Sequence, residues 1–332
     1  MSHSDGVAVC IVTHNSAADL PACLAAITAL EPPAAEIVIV DCASDDDSIA
    51  LARRLAPPGI PLVVEPAAEN LGFAGGMNLA ISLSSAPYIL SLNPDCRPTP
   101  GFCNRLLAAC EHPRYRVAAA TGRLSRPAAA DSPPRLDACG MRLVVTWRHL
   151  DRGSGEIDRG QFALPERVFG ATGAATLYRR AALDDAAIDG EIFATEFHSY
   201  REDAELCFRL RERGWEIVYE PAARAVHERY NLPTNRRRMP ADINYHSLKN
   251  RYLLRAYHQT AGNLLLTLLP TLWRDLLAAG HVVLRERTSL AAYGWLWRNR
   301  HRIVARRRQI QSRRTRPGRT ITRWFFTQGV PR

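Results

Sequence analysis

Three aspartates, Asp41, Asp45 and Asp95, stand at or just beyond the ends of short apolar segments. Mg²⁺ and Mn²⁺ prefer carboxylate oxygen, and a nucleotide diphosphate needs such a cation to offset its charge. Asp95, directly after an apolar segment, is the best placed of the three to be a ligand. Asp46 and Asp47, beside Asp45, suit equally well the start of a helix, where carboxylates cap free N–H groups and oppose the dipole. The segment Asn70-Leu71-Gly72-Phe73-Ala74-Gly75-Gly76-Met77-Asn78 offers backbone that can approach a phosphate or a ribose closely. It is not a dinucleotide fingerprint, since no GxGxxG follows the first strand, nor a P-loop, since no lysine precedes Lys249. Further on, a helix starting at Tyr200-Arg201-Glu202-Asp203 would set Asp203 on the face of Leu206, Cys207 and Leu210, and Glu202 on that of Glu205 and Arg209. An inward Asp203 facing a pocket can act as a general base toward a hydroxyl. His227, after the short apolar pair Ala225-Val226, can ligate a metal.

Positioning these groups falls to alternating strand and helix signals. Residues 7–12 are a continuous apolar run rich in β-branched side chains, which predicts a strand stopping at Thr13-His14-Asn15-Ser16. Ser16 and Asp19 resemble a capping box, and Leu20, Cys23, Leu24, Ile27 and Leu30 follow at helical spacing. Strands are expected again over residues 37–40, 60–64 and 88–92. Between them come a helix capped by Ser44 or Asp45 and carrying Ile49, Ala52 and Leu55, and a short helix after the glycines through Leu79 and Ile81. The pattern predicts an α/β fold with a doubly wound sheet. Thr13-His14-Asn15, residues 41–47 and Asn93-Pro94-Asp95 then all follow the carboxyl ends of strands, the edge at which open parallel sheets bind ligands. Over residues 112–165 the periodicity weakens, and Pro127, Pro133, Pro134, Gly153 and Gly155 predict irregular hairpins and loops. Order returns at residues 169–175, and a helix is expected over residues 203–213, stopped by Gly214. Trp215, Ile217 and Tyr219 then alternate as in a strand, and from Asn244 the chain reads helical.

The 332 residues, 47% hydrophobic, suffice for one large core and a small appendage. The net charge of +10 is unevenly spread: residues 285–332 hold fourteen arginines and a single acid, Glu286, so the rest of the chain is slightly acidic. A basic tail would fit an RNA-binding protein, but that reading leaves the acidic strand ends unexplained, and no nucleic-acid partner is expected. Eight cysteines occur singly, without CxxC pairs or zinc-type spacing, as expected of free thiols in a reducing compartment. Cys96, Cys103 and Cys110, at seven-residue intervals, suggest one face of a helix. The N-terminal residues carry no basic region, long apolar stretch or small-residue cleavage site, so a cytoplasmic protein is expected.

Taken in order, these segments resemble the family 2 glycosyltransferases of GT-A fold over residues 7–255, particularly the rhamnosyltransferase-like members that build bacterial surface polysaccharides. Residues 9–16 resemble the family's opening strand and its Thr-Tyr-Asn-Ser turn. Val40-Asp41-Cys42-Ala43-Ser44-Asp45-Asp46-Asp47-Ser48 resembles its Val-Asp-Asn-Ala-Ser-x-Asp-x-Ser nucleotide-binding segment, and residues 70–78 its Asn-x-Gly-Phe-Ala-Gly-Gly-x-Asn loop. Asn93-Pro94-Asp95 matches the Asn-Pro-Asp form of its metal motif. Gly173-Ala174-Ala175 is similar to its substrate-pocket segment, Glu202-Asp203 to its catalytic pair, Val226-His227 to its distal metal histidine, and Lys249-Asn250-Arg251-Tyr252 to a further segment. His14 replaces the usual tyrosine, Cys42 the usual asparagine, and Asn93 the aspartate of stricter members. With the last change the resemblance implies Asp95 and His227 as the protein ligands and leaves the number of carboxylates on the metal open.

The resemblance implies a GT-A type doubly wound mixed sheet flanked by helices, with a nucleotide-binding half (1–111), an acceptor-binding and catalytic half (112–255) and a helical, Arg-rich arm (256–332). It implies an inverting transfer, dependent on Mg²⁺ or Mn²⁺, from a dTDP- or UDP-sugar to a saccharide or polyprenyl-linked acceptor, with rhamnose as the sugar suggested. Thr13, Asn15, Asp41, Ser44, Asp45, Asn70, Gly72, Gly75, Gly76, Asn78 and Asn93 would face the donor, and Gly173 and Ala174 the sugar or acceptor. Asp203 would be the base, with Glu202 beside it. The alternative is a catalytically idle nucleotide-sugar or polysaccharide-binding protein of the same fold, against which the presence of Asp95 and Asp203 speaks.

In the arm, residues 264–269 are strongly apolar, but Pro270 and Arg274-Asp275 interrupt the run well short of the roughly 18–20 residues a membrane span requires. Leu265, Leu269, Leu272, Leu276 and Val283 fall near one helical face, with Trp273, Trp295 and Trp297 nearby. The arm is therefore expected to lie on the cytoplasmic face of a membrane, the arginines behind it attracting anionic lipid; the alternative is a helical appendage packed on the catalytic domain with a disordered basic tail.

Overall fold

The computed structural model describes residues 6–127, 132–230 and 240–332. The first half forms β1 (Val7–Thr13), α1 (Leu20–Thr28), β2 (Glu36–Cys42), α2 (Ser48–Arg54), β3 (Leu62–Ala67), α3 (Gly72–Ser82), β4 (Tyr88–Leu92), β5 (Cys96–Pro98) and α4 (Phe102–Cys110). There follow β6 (Val117–Ser125), β7 (Leu136–Ala138), β8 (Met141–Val144), β9 (Arg148–Asp151), β10 (Glu166–Arg167), β11 (Ala175–Arg179), α5 (Arg180–Ala186), α6 (Glu202–Glu212) and β12 (Glu216–His227). The chain ends in α7 (Ala241–His258), α8 (Ala261–Arg285), α9 (Ala291–Arg298), α10 (Arg300–Ser312), α11 (Arg319–Thr322) and β13 (Val330–Pro331).

One mixed sheet runs in the order β13-β10-β12-β6-β11-β4-β1-β2-β3, with β5 pairing on β12 and β7 on β6. The strands β3, β2, β1 and β4 are parallel, as their continuous apolar runs predict. β11 then enters antiparallel to both β4 and β6. Helices α1, α2 and α4 cover one face, with Leu24, Ala52 and Phe102 in its core; α3, α5, α6 and α7 cover the other, with Met77, Leu183, Leu206 and Leu253.

Several local expectations are revised. Ser16 makes no capping box: its N–H donates to Ser48 Oγ, and Asp19 precedes α1 without a side-chain cap. Helix α2 begins at Ser48, whose N–H is taken by Asp46 Oδ1 rather than by Ser44 or Asp45. The third strand starts two residues later than expected, and the glycine segment is not a turn before a helix but the first turns of α3. The largest revision is β6, a nine-residue strand at the centre of the sheet where loops were expected. Its sequence VAAATGRLS is buried on both faces, so no alternation shows, and its small residues are needed for fit. A Cβ on Gly122 would come within 2.4 Å of the Ala223 carbonyl oxygen. All eight cysteines are buried and free; Cys96 lies on β5, so only Cys103 and Cys110 share a helix.

Helix α6 is buried on every side, including its charged residues. Arg209 pairs with Glu205 at 2.6 Å and donates to the carbonyls of Ala186 and Ile192, while His258 from α7 reaches Glu205 and Glu212 at 3.3 and 3.1 Å. Burial alone would raise the Glu205 pKa, but Arg209 and His258 outweigh it and hold it down to about 2. Because the folded value is depressed, the pair's contribution is full above the ordinary glutamate value of 4.5 and disappears as pH falls from there toward 2. Arg209→Met would leave Glu205 buried and unpaired. The expected cost is about 3–5 kcal/mol in urea unfolding at neutral pH, and a loss below about 1 kcal/mol would show that the pair is not holding the helix.

The residues after 255 are built into the same core. Ile310, Ile321, Trp324 and Phe325 join the apolar cluster of α3 and α6, and β13 extends the sheet by pairing with β10. Much of the arginine surplus is spent internally: Arg307 bonds the carbonyls at the end of α7, Arg313 those at the end of α5, and Arg314 pairs with Glu212. Helix α8 is packed inside out. Its polar residues Asn263, Thr267 and Thr271 face the protein, where Trp147 Nε1 donates to Thr267 Oγ1 at 3.1 Å and Asp275 pairs with Arg251 and Arg255. Its leucines face outward, with Leu265, Leu269 and Leu276 exposed to 79, 77 and 67%. No helix among the described residues is long and apolar enough to cross a membrane.

Candidate active site

The carboxyl ends of β1 and β2 lie side by side because the strands pair in register, Thr13 opposite Asp41. The Asp41 carboxylate is 1% exposed. It accepts the Thr13 hydroxyl at 2.7 Å and the Ser44 hydroxyl at 2.6 Å on Oδ1, and the Ser44 N–H at 2.9 Å on Oδ2. Oδ2 retains room for one more donor. Asn15, at a positive φ of 53°, ties the two turns together: its N–H donates to Ser44 Oγ and its Oδ1 accepts the Asp45 N–H, both at 2.8 Å. The Asp45 carboxylate is exposed, whereas Asp46 is a turn-forming group that accepts from Ala17, Ser48 N–H and the Ser48 hydroxyl.

The glycine segment divides in two. Asn70 Oδ1 accepts the Gly72 N–H, and Gly72 has a φ of +65° with His198 so close that a Cβ would lie 2.5 Å from its Nδ1. Gly76 points inward: a Cβ there would meet Val12 at 2.7 Å, so this glycine lets α3 sit down on β1 and β2. Asn78 uses both ends of its amide on the Phe193 backbone, each at 2.8 Å. Gly76 and Asn78 thus tie α3 to the sheet and to the chain at 193, whereas Gly75 is partly exposed.

A second registration assembles the other half. β5 pairs antiparallel with β12 so that Cys96 opposes His227, which sets Asp95 beside the ring: Oδ1 is 3.2 Å from His227 Nε2. His227 Nδ1 lies 2.7 Å from Asp137 Oδ2, and Arg229 bridges Asp137 and Asp151 at 3.2 and 2.6 Å. Burial works against charge on both groups, but the His227 hydrogen bond and charge hold the Asp95 carboxyl below its usual value, and Asp137 with Asp95 push the imidazole up to about 9, a proton that Nε2 would give up on binding a metal. Asp95 oxygen and His227 Nε2 form a mixed oxygen and imidazole donor pair, with Nδ1 oriented by a carboxylate behind it, as in bound-metal sites. No cluster of three or more such side chains occurs among the described residues. Two protein ligands with the rest supplied by phosphates and water is the manner in which Mg²⁺ is usually held, so the residues present fit a divalent cation. Asp137 and Arg229 carried no signal in the sequence: the first lies where periodicity fails, and the second is one arginine among many.

Asp203 joins the site through Gly173. Its Oδ2 accepts the Gly173 N–H at 3.1 Å, the Gly173 carbonyl accepts from Ser91 Oγ, and the Ala174 carbonyl accepts the Asn93 N–H at 2.9 Å. The base candidate is thus bonded to the strand end that carries Asp95. Burial and the charge of Asp151 raise the Asp203 pKa, against the Gly173 N–H, to about 6. The expected division of α6 into an inward and an outward face does not hold. Glu202 is the more enclosed of the two acids, its Oε2 has no partner among the described residues, and burial followed by the charge of Asp203 drives its pKa well up. His198, Tyr200 and Arg201 before it adopt positive φ, a strain of the kind that collects at working sites. Asn250 secures that loop, its amide nitrogen donating to the carbonyls of Phe197, Ser199 and Tyr200 at 2.7–2.9 Å.

The chain resembles several known proteins. It is 27% identical over 252 residues to the N-acetylglucosaminyl-diphospho-decaprenol L-rhamnosyltransferase of Mycobacterium tuberculosis, covering 68% of this chain and 77% of that one. It is 39% identical over 101 residues, 30% of each chain, to the succinoglycan biosynthesis protein ExoU of Rhizobium meliloti, so the match spans under a third of that relative. Among solved structures, GalNAc-T7 with UDP, GalNAc and Mn²⁺ superposes with a TM-score of 0.58 at 13% identity, over 77% of this chain and 48% of that one. The mannosyltransferase PcManGT from Pyrobaculum calidifontis, in complex with GDP-Man and Mn²⁺, gives 0.54 at 16% identity over 89 and 76%. These likenesses show the GT-A fold. The family model described as "Glycosyl transferase family 2" matches residues 8–186, more than half of the chain and the stretch that contains the Asp41 and Asp95 strand ends, Gly173 and Asp137. With that match and this architecture, the chain belongs to glycosyl transferase family 2.

Proposed function

We propose that the protein catalyses inverting transfer of a sugar, rhamnose being the first to test, from a dTDP- or UDP-sugar to a hydroxyl of a lipid-linked saccharide in bacterial surface polysaccharide synthesis. The observation that carries this reading is the bonded path from Asp95 through Asn93, Ala174 and Gly173 to Asp203, which joins a cation-binding strand end to a carboxylate of raised pKa. Asp95 and His227 would hold Mg²⁺ or Mn²⁺, which neutralises charge on the leaving diphosphate when bound. Thr13, Asn15, Asp41 and Ser44 shape the nucleoside pocket at the ends of β1 and β2. Asp203 takes the proton of the acceptor hydroxyl as its oxygen attacks the anomeric carbon from the face opposite the diphosphate, so one displacement inverts the configuration. Thermal unfolding of the protein with dTDP-rhamnose and a panel of UDP- and GDP-sugars, in Mn²⁺ and in EDTA, tests donor class directly. A Mn²⁺-dependent rise in Tm with at least one donor is expected, and none with any would sink the reading.

A membrane location at the cytoplasmic face is part of the same proposal, supported by the outward leucines of α8 and by Trp273 and Trp297, both largely exposed. Trp295 differs, being half-buried under Lys249. Arg285, Arg287, Arg298 and Arg300 remain exposed beside these side chains and supply the attraction to anionic lipid. The full-length protein is expected to float with anionic vesicles at low salt, and Leu269→Glu with Leu276→Glu to abolish flotation without loss of thermal stability. Flotation unchanged in the double variant would rule out this face. Substitution is the informative route, because truncating the chain after residue 284 would also strip Trp324 and Phe325 from the core.

A further inference from the structure

Between the β8–β9 hairpin, α7 and the inner face of α8 lies a cavity of about 970 Å³. Seven arginines line it, against Asp151 and Glu156 as its acids. Arg229 is paired with Asp137 and Asp151, and Arg251 lies 2.8 Å from Asp275. Arg142, Arg148 and Arg274 have no carboxylate partner among the described residues, and Arg274 Nε is buried without a hydrogen bond. Burial, then the charges of Arg274, Arg251 and Arg142, pull the Arg148 pKa below the ordinary guanidinium value. Gathering like charges in a partly desolvated cavity is unfavourable unless an anion joins them, and guanidinium forks match phosphate oxygens two at a time.

Two neighbours say which anion. On one side Tyr200 and Arg201 of the wall run directly into Glu202-Asp203, and Asp151 of the wall acts electrostatically on Asp203, so the cavity lies next to the proposed base. On the other, Arg274 and His281 project from the inner face of α8, whose opposite face carries the exposed leucines. A volume of this size takes a diphosphate with part of a sugar.

We infer that the Arg142, Arg148, Arg251 and Arg274 cluster is the subsite for the phosphate or diphosphate joining the acceptor saccharide to its lipid, with the anchor leaving past α8 toward the membrane. This assignment rests on the glycosyltransferase reading above. It separates two anions: the donor diphosphate at Asp95 and His227, and the acceptor phosphate at the arginines.

Calorimetric titration of the full-length protein in EDTA, which leaves the donor site without its cation, uses farnesyl diphosphate, farnesol and inorganic pyrophosphate as probes. Farnesyl diphosphate is expected to bind most tightly. Arg148→Gln and Arg274→Gln are each expected to weaken it about 10–100-fold, the equivalent of one or two charge-assisted hydrogen bonds. Donor binding in Mn²⁺ should persist in both variants, showing that they fold; Arg142→Gln, on a half-exposed strand position, replaces either one that does not. Variants that bind the diphosphate as the parent does would overturn the subsite, as would farnesol binding as well as its diphosphate. Pyrophosphate binding as tightly as farnesyl diphosphate would overturn the lipid-linked source. Absence of donor binding in the parent would instead count against the glycosyltransferase reading, while the arginine dependence still decides the anion site.

Discussion

Asp203→Asn is expected to reduce sugar transfer by about 10²–10⁴-fold, the usual contribution of a positioned proton acceptor, while donor affinity in Mn²⁺ stays within about twofold. Asparagine keeps the shape and can still accept the Gly173 N–H at 3.1 Å, but its amide nitrogen cannot accept the Ala204 N–H that the carboxylate takes at 2.7 Å, so the Tm of the variant is measured beside its turnover. The parent has a second signature. Asp203 must be ionised to take a proton, and its pKa is raised to about 6 by burial and by Asp151. Transfer should therefore increase from pH 5 to pH 7 and level off above, with a single ionisation near 6, and Asp203→Asn should lack that limb. Burial and the charge of Asp203 push the neighbouring Glu202 up as well, so Glu202→Gln is the control: it should keep the limb that Asp203→Asn loses. A variant that turns over at the parent's rate, or a parent flat from pH 5 to 7, would refute the assignment of the base.

Asp95→Ala is expected to remove the Mn²⁺-dependent part of donor binding altogether, because it deletes one of the two proposed protein ligands, and the anionic one of the pair. The structure sets a graded companion. Asp137 stands behind His227, fixing its Nδ1 at 2.7 Å, and loss of such a supporting carboxylate typically weakens metal affinity about 10–100-fold. Asp137→Asn should thus raise the Mn²⁺ concentration needed for half-maximal donor binding by that factor without changing affinity at saturating metal. Asp95→Ala should not be rescued by added Mn²⁺. Equal metal dependence in parent and both variants, read by donor-induced change in Tm across a Mn²⁺ series, would remove Asp95 and His227 from the metal site.

Much of the N-terminal half is legible in the chain because it depends on short-range rules. A parallel strand reads as a continuous apolar run, its end is marked where polar residues begin, and an open sheet gathers those ends at one edge. Thr13, Asp41 and Asp95 are placed by that logic alone, and Glu202-Asp203 by the start of a helical period. The same residues could not disclose partners that lie far apart in sequence. Asp95 meets His227 because β5 pairs with β12, Asp203 meets Gly173 across thirty residues, and Asn250 holds the loop at residues 197–200 from another helix. β6 escaped because a strand buried on both faces and built of alanine has neither alternation nor bulk.

The arginines show the division most sharply. Sequence set the surplus of positive charge in residues 285–332, and hydrophobic spacing correctly aligned the leucines of α8 on one face. Periodicity reports that a helix has two unlike faces but not which one the protein covers, since that depends on what the rest of the chain offers. Here Trp147, Val145, Arg251 and Arg255 offer hydrogen bonds and charge, so the threonines and Asp275 turn inward and the leucines turn out. Tertiary packing likewise decided that tail arginines such as Arg307, Arg313 and Arg314 bond to the protein. Of the arginines around the cavity, Arg142, Arg148 and Arg274, which have no carboxylate partner among the described residues, come from a hairpin and a helix that only the folded chain brings together.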